Sequence, residues 1–189
     1  MTRLEINLNY FFGNTLIKGL YSKYIDQLDL SDSKDVLEFG CGIGCITKPL
    51  LKKLGKDVKL NCIDIDFDAI NFSKKRFKDY NNLCYFVGDI RTLDIQENSF
   101  DTVIIHYMYH DIPSKERKSI LKKINKVMKD GGKIFIREPI KETHGISPAE
   151  VRKLMKSCGF VEIKGEMEKK FVGGEMFNAI FIKEKNLLK

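Results

Sequence analysis

Val36-Leu37-Glu38-Phe39-Gly40-Cys41-Gly42-Ile43-Gly44 is the stretch whose reading decides the fold. Asp35 to Gly40 reads as a buried strand, and glycines at alternate positions follow its end directly. Glycine at such a junction lets the backbone bend tightly and come within contact of a ligand. Amide groups left free at the start of the next helix can also receive an anionic group. Ile43 to Leu54 is expected to be that helix, with Pro49 near its first turns, where a missing backbone donor is best tolerated.

Working outward, short apolar runs alternate with longer amphipathic ones, the pattern of a parallel sheet covered by helices. Val58 to Asp64 is expected as a second strand, Phe67 to Tyr80 as a helix and Leu83 to Val87 as a third strand. Asp101 to His106 makes a fourth, and Ser114 opens a long helix through Met128. Asp130-Gly131-Gly132 is read as its stop, supplying the positive φ that a helix C-terminus favours, and Lys133 to Arg137 as the fifth strand. Ser147-Pro148-Ala149-Glu150 has the composition of a helix start, with Ser147 as cap and Glu150 in the capping-box position; this helix should end at Gly159. Phe160 to Lys169 and Met176 to Lys183 read as two strands joined by a turn at Gly173-Gly174. Upstream, Phe12, Leu16, Leu20, Tyr24 and Leu28 recur every four residues, and Tyr21 and Ile25 broaden the stripe, so Tyr10 to Leu28 is expected to form a helical cover. The chain is read as one domain, with that cover over residues 1–30 and an α/β core over residues 31–189.

Bulk properties narrow the class. The 189 residues are 43% hydrophobic and 31% charged, ordinary for a globular protein. No apolar run approaches the roughly 20 residues of a membrane helix, and MTRLEINLNYFF lacks the apolar region of a secretory signal, so a cytoplasmic protein with no membrane role is expected. Cys41, Cys45, Cys62, Cys84 and Cys158 form no Cys-x-x-Cys pair and no Cys/His ladder, so neither metal nor disulfide is expected, in keeping with a reducing compartment. The net charge of +7 suits an acidic partner such as RNA, but the lysine pairs (Lys52-Lys53, Lys74-Lys75, Lys122-Lys123, Lys169-Lys170) are scattered, and solvated helix faces explain them better.

Three acidic residues carry the chemistry. A dinucleotide fingerprint G-x-G-x-x-G counted from Gly40 would end on Cys45, and Glu38 would repel a pyrophosphate. S-adenosylmethionine carries no phosphate but has an ammonium, a carboxylate and a sulfonium, so an acid beside the glycines suits its positive end. Asp64, closing the second strand in Cys62-Ile63-Asp64-Ile65-Asp66, is placed to accept from both ribose hydroxyls; Asp66 competes, but it also reads as the cap of the following helix. In Val87-Gly88-Asp89-Ile90, Asp89 can accept from an adenine amino group while Ile90 packs on the ring; read alone, this is also an ordinary turn.

Together these segments resemble the class I S-adenosylmethionine-dependent methyltransferases, in particular their small methyltransferase-domain group. Val36 to Gly44 is similar to the first motif and Cys62-Ile63-Asp64 to the acidic second. Gly88-Asp89-Ile90 and Ser99-Phe100-Asp101-Thr102-Val103 are similar to the third and fourth, and Val127 to Gly132 to the turn before the fifth strand. The resemblance runs from about Asp35 to Lys183. It implies a Rossmann-like seven-stranded sheet in the order 3-2-1-4-5-7-6, with strand 7 antiparallel and helices on both faces. It also implies that Glu38, Gly40, Gly42, Asp64, Asp89 and Ile90 contact the donor, with Cys41, Ile65 and His106 as further candidates. The acceptor is expected beyond the fourth strand, at His106-Tyr107-Met108-Tyr109-His110-Asp111. The Asn- or Asp-Pro-Pro-Tyr/Phe motif of enzymes that methylate base or glutamine amino groups is missing there, and no cysteine nucleophile lies near residue 106. His106 and His110 are the candidate bases. Arg137, Glu138 and His144 are candidate acceptor contacts, and Tyr10, Phe11 and Phe12 a candidate aromatic lid. With short loops and no further domain legible, a small-molecule acceptor is the leading expectation. An RNA or protein acceptor, or a non-catalytic sensor or scaffold using the same pocket, is the alternative. Oligomeric state is not legible.

Overall fold

A computed structural model describes residues 18–141, 144–170 and 174–185. They fall into two compact units, Met1–Leu93 and Asp94–Lys189. Parallel strands need cover on both faces, which is why they read as short continuous apolar runs.

In the first unit, β1 (Asp35–Phe39) is that kind of strand, with Val36, Leu37, Glu38 and Phe39 all buried. It runs parallel to β2 (Lys59–Asp64), which runs parallel to β3 (Leu83–Val87). Phe39 lies opposite Ile63, and Asp64 opposite Val87. This register brings the carboxyl ends of all three strands level, so the segments starting at Gly40, Ile65 and Gly88 leave from one edge. Helices α1 (Lys18–Gln27), α2 (Thr47–Leu54) and α3 (Phe67–Arg76) complete the unit. Tyr24, Ile25 and Leu28 are buried, as the four-residue stripe requires, and Lys53 Nζ donates to the Asp26 carbonyl at 2.7 Å, tying α2 to α1. The part of that stripe before residue 18 lies outside the described residues, as do Tyr10, Phe11 and Phe12.

In the second unit, β4 (Phe100–His106) is parallel to β5 (Met128–Lys141), with His106 opposite Arg137. Helix α4 (Ser114–Val127) connects them, preceded by a 3-10 turn at Tyr109–Asp111. The two-residue strand β6 (His144–Gly145) pairs with the end of β5. Helix α5 (Pro148–Ser157) leads into β7 (Phe160–Lys170), and β7 and β8 (Gly174–Lys183) form the antiparallel hairpin, with β8 against β5. The sheet order is β3-β2-β1-β4-β5-β8-β7, with β6 off this path. Without β6, this is the expected 3-2-1-4-5-7-6 order with its last strand antiparallel.

Element boundaries moved for identifiable reasons. Helix α2 starts at Thr47 rather than Ile43, because Gly42 and Gly44 hold φ of +50° and +83° and cannot belong to a right-handed helix. Pro49 therefore falls within its first turn. Helix α4 stops at Val127, and the buried Met128 is already extended and pairs with Phe100. Asp130-Gly131-Gly132 is consequently not a helix stop: it lies in the irregularity between the Phe100–Met128 and Thr102–Lys133 pairs. Ser147 caps α5 as expected, accepting from the Glu150 amide at 3.1 Å. The Glu150 carboxylate does not close a capping box but accepts from Arg117 Nη1 at 2.6 Å.

Candidate functional site

The turn after β1 is held by backbone and carboxylate acceptors from the end of β2. The Gly40 and Cys41 amides both donate to the Ile63 carbonyl, at 2.8 and 3.1 Å, and the Gly44 amide donates to Cys41. The Gly42 amide donates to Asp64 Oδ2 at 2.7 Å, while Asp64 Oδ1 accepts from the Asp66 amide at 2.9 Å. These four loop amides, all upstream of the helix start at Thr47, are thus committed within the protein. The two glycines differ in what surrounds them. A Cβ on Gly42 would meet nothing within 4 Å, whereas one on Gly44 would stand 2.5 Å from the Phe77 ring and 2.8 Å from Ser73 Oγ. Gly44 is needed for α3 to approach, and Gly42 faces open space.

Glu38 is buried two residues before the turn. Its Oε2 accepts from Thr47 Oγ1 at 2.7 Å and from Cys62 Sγ at 3.4 Å. Its Oε1 is buried without a hydrogen-bond partner, an arrangement that costs free energy unless a donor or cation arrives. Burial drives its pKa up to about 8; the Thr47 and Cys62 hydrogen bonds oppose the rise and the Asp64 charge adds to it. Cys41 is buried, with its Sγ near the Gly42 carbonyl.

At the ends of β2 and β3 the remaining predicted contacts separate. Asp66 is the cap of α3, its Oδ1 accepting from the Ala69 amide at 2.9 Å. Asp64 and Asp66 thus hold the two different positions that the spacing left open. Ile65 and Phe67 are 76% and 64% exposed, large apolar side chains left to solvent beside Asp64. Gly88 donates its amide to the Asp64 carbonyl at 2.9 Å. Asp89 receives Arg91 Nε at 3.0 Å on Oδ1 and 2.9 Å on Oδ2, and Arg91 Nη2 as well. The Arg91 hydrogen bonds hold its carboxyl below the usual range. Ile90 is buried, so the open apolar surface of this edge belongs to Ile65 and Phe67.

The second unit holds the other cluster. Tyr107 follows β4 with φ +56°, a conformation that side-chain-bearing residues occupy only under constraint. Its ring is 38% exposed and lies edge-on to His110 at 5.7 Å and tilted to His106 at 5.8 Å. Glu138, fully buried, accepts from the amides of Met108 (3.1 Å), Tyr109 (2.9 Å) and His110 (3.2 Å) and pairs with His110 Nδ1 at 2.6 Å. Arg117 grips the same segment from below, donating to the carbonyls of His110 (2.9 Å) and Ile112 (2.8 Å). Both oxygens of Glu138 are therefore engaged within the protein, as the anchor of this turn. Arg137 is buried, and its Nη2 donates to Glu168 at 3.1 Å. The side chain of His144 lies outside the described residues.

The two histidines differ electrostatically. Burial, with the Arg137 charge added, pushes His106 down to about 3, so it is a neutral imidazole at physiological pH. Burial also pulls His110 down, but the Glu138 hydrogen bond and the Glu138 and Asp111 charges outweigh it, and its pKa is raised. His110 Nε2 stands 3.3 Å from Asp111 Oδ1, so the ring bridges two carboxylates.

Sequence reasoning missed Thr47, Arg76 and Arg117. Arg76 donates to the Ile43 and Gly44 carbonyls at 3.3 Å each, and nothing in local spacing announces it.

A family profile described as "Methyltransferase domain" matches residues 36–132, just over half of the chain. Among curated proteins, the chain is similar to phosphoethanolamine N-methyltransferase 1 of Triticum aestivum, 30% identical over 146 residues, 70% of this chain and 29% of that protein. It is also similar to demethylmenaquinone methyltransferase of Staphylococcus saprophyticus, 26% identical over 121 residues, 64% of this chain and 51% of that protein. The chain thus spans about half, or less, of the length of these relatives. Among solved structures, the N-methyltransferase NodS of Bradyrhizobium japonicum in complex with S-adenosyl-L-homocysteine shares the fold, with a TM-score of 0.76, 17% identity and coverage of 93% of this chain and 92% of that one.

Proposed function

The chain belongs to the methyltransferase-domain family, and from that premise we propose that it binds S-adenosylmethionine through the turn after β1 and methylates a small-molecule acceptor. The observation that carries the donor assignment is Glu38 Oε1, a buried carboxyl oxygen with no partner two residues before a glycine turn. S-adenosylmethionine supplies a methyl group on a sulfonium and an ammonium that such an oxygen can hold. Asp64 keeps the turn in place through the Gly42 amide, and we assign it the ribose diol, which a carboxylate can receive with both oxygens. Gly42 leaves space for the ligand, and Ile65 and Phe67 offer apolar surface to a purine. Asp89 reaches an adenine amino group once Arg91 yields it.

Methyl transfer from a sulfonium is an in-line displacement, so the protein's contribution is chiefly alignment. Tyr107, exposed and rigidly presented, is the residue of the β4 turn we assign to the acceptor. His110, held between Glu138 and Asp111, fixes that presentation. His106 stays neutral and is too weak a base to take a proton near neutral pH. If His110 removes an acceptor proton, it must first lose its own, so turnover rises with pH through its raised pKa; a flat profile assigns it to positioning alone. Support for a small acceptor comes from the phosphoethanolamine and demethylmenaquinone enzymes among the relatives.

The test is formation of S-adenosylhomocysteine from S-adenosylmethionine with cell extract split into small-molecule and macromolecular fractions. Turnover with the small-molecule fraction is expected. Turnover only with macromolecules moves the acceptor to RNA or protein, and binding without turnover in either fraction makes the chain a sensor or scaffold.

A further inference from the structure

Gly88 to Leu93 leaves the sheet at the edge where the methyl donor is assigned, tied to β2 by the Gly88 amide on the Asp64 carbonyl. Ile90 is buried, whereas Asp89 and Arg91 on either side of it keep a quarter and a third of their side chains in solvent. The Asp89 carbonyl accepts from the Thr92 and Leu93 amides, at 2.9 and 3.2 Å, and from Thr92 Oγ1 at 3.0 Å. The backbone of Asp89 is therefore held, and its carboxylate can change partners without moving the chain.

Arg91 takes the whole of that carboxylate. Oδ1 accepts from the Arg91 amide at 2.9 Å and from Nε at 3.0 Å; Oδ2 accepts from Nε at 2.9 Å and from Nη2. A carboxylate has about four lone-pair sites, and two donors already stand at each oxygen. An adenine amino group can reach Asp89 only by taking the place of one of them. The Arg91 amide is fixed by the turn, so the guanidinium, on a long and partly exposed side chain, is the donor that leaves. An exposed ion pair changes an equilibrium constant by up to about fivefold. The fork therefore opens readily, and it lowers affinity for the base by that factor.

We propose that Arg91 is an internal competitor for adenine: its guanidinium occupies Asp89 in the free protein and gives way when an adenosyl ligand binds. The inference rests on the donor reading, in which Asp89 receives the adenine amino group. S-adenosylhomocysteine, the product, carries the same base as the donor. Arg91 therefore weakens the binding of both, and its return to Asp89 favours departure of the product.

The experiment is calorimetric titration with S-adenosylhomocysteine on wild type, Arg91→Met, Asp89→Ala and the double variant. Methionine keeps an unbranched side chain but has no N–H donor. Both positions are partly exposed, so folding is expected to survive, and circular dichroism checks it. Arg91→Met is expected to bind about two- to fivefold more tightly than wild type. Asp89→Ala should bind more weakly, and in that background Arg91→Met should add nothing, because no carboxylate is left to compete for. Unchanged or weaker binding by Arg91→Met, the same gain with Asp89→Ala present, or wild-type affinity in Asp89→Ala would each overturn the inference. If neither wild type nor any variant binds, the donor reading itself falls, and the inference with it.

Discussion

After β1 the chain turns on glycines whose amides are tied to the end of the neighbouring strand, whereas after β4 it turns on Tyr107, Met108 and Tyr109, bulky residues held by side chains distant in sequence. The first turn rests on its own backbone, on Ile63 to Asp64 and on Arg76 of α3. The second depends on Glu138 from β5 and Arg117 from α4. A backbone-built site tolerates change in the side chains around it but not in its glycines. A site built from side chains can re-aim an exposed residue such as Tyr107 through a single distant substitution.

The largest effect should come from breaking the second turn at its anchor. Glu138→Ala removes one acceptor from three backbone amides and the His110 imidazole, leaving buried donors unsatisfied. A stability loss of about 3–5 kcal/mol in chemical denaturation is expected; a loss below about 1 kcal/mol would mean that the turn does not rest on Glu138. Next is the first turn, challenged at Asp64. Asp64→Ala should weaken S-adenosylmethionine binding by about 1.5–3 kcal/mol, the scale of lost charge-assisted hydrogen bonds. Calorimetry showing wild-type affinity would separate Asp64 from the ligand. The smallest effect on stability belongs to Tyr107→Gly, where relief of the positive φ, about 1 kcal/mol, offsets the lost ring contacts. Stability should change by less than about 1 kcal/mol while turnover falls; unchanged turnover would remove Tyr107 from the acceptor site.

The same contrast explains what the sequence made legible. Strand order, the antiparallel hairpin, the glycine turn and the split between Asp64 and Asp66 follow from patterns within a few residues, where apolar period, glycine and capping chemistry act directly. Glu138 was visible as a polar residue at the end of a strand but was read as facing a ligand, because its three amide partners lie some 30 residues earlier. Arg117 looked like one more basic residue on a charged helix, and Thr47 like an ordinary helix residue. The stop of α4 was misplaced because Met128 gains more by pairing with Phe100 than the helix gains by one further residue, a tertiary contest that local propensity does not record.

The proposed role of Glu38, holding the positive end of the methyl donor, is open to calorimetric titration with S-adenosylmethionine at pH 7 in two buffers of different ionisation enthalpy. With a pKa of about 8 in the free protein, Glu38 carries a proton at pH 7 and must lose it to meet a cation. Micromolar binding with release of close to one proton is expected, and weaker binding with no release by Glu38→Gln. No binding, or wild-type binding whose heat is the same in both buffers, would contradict it.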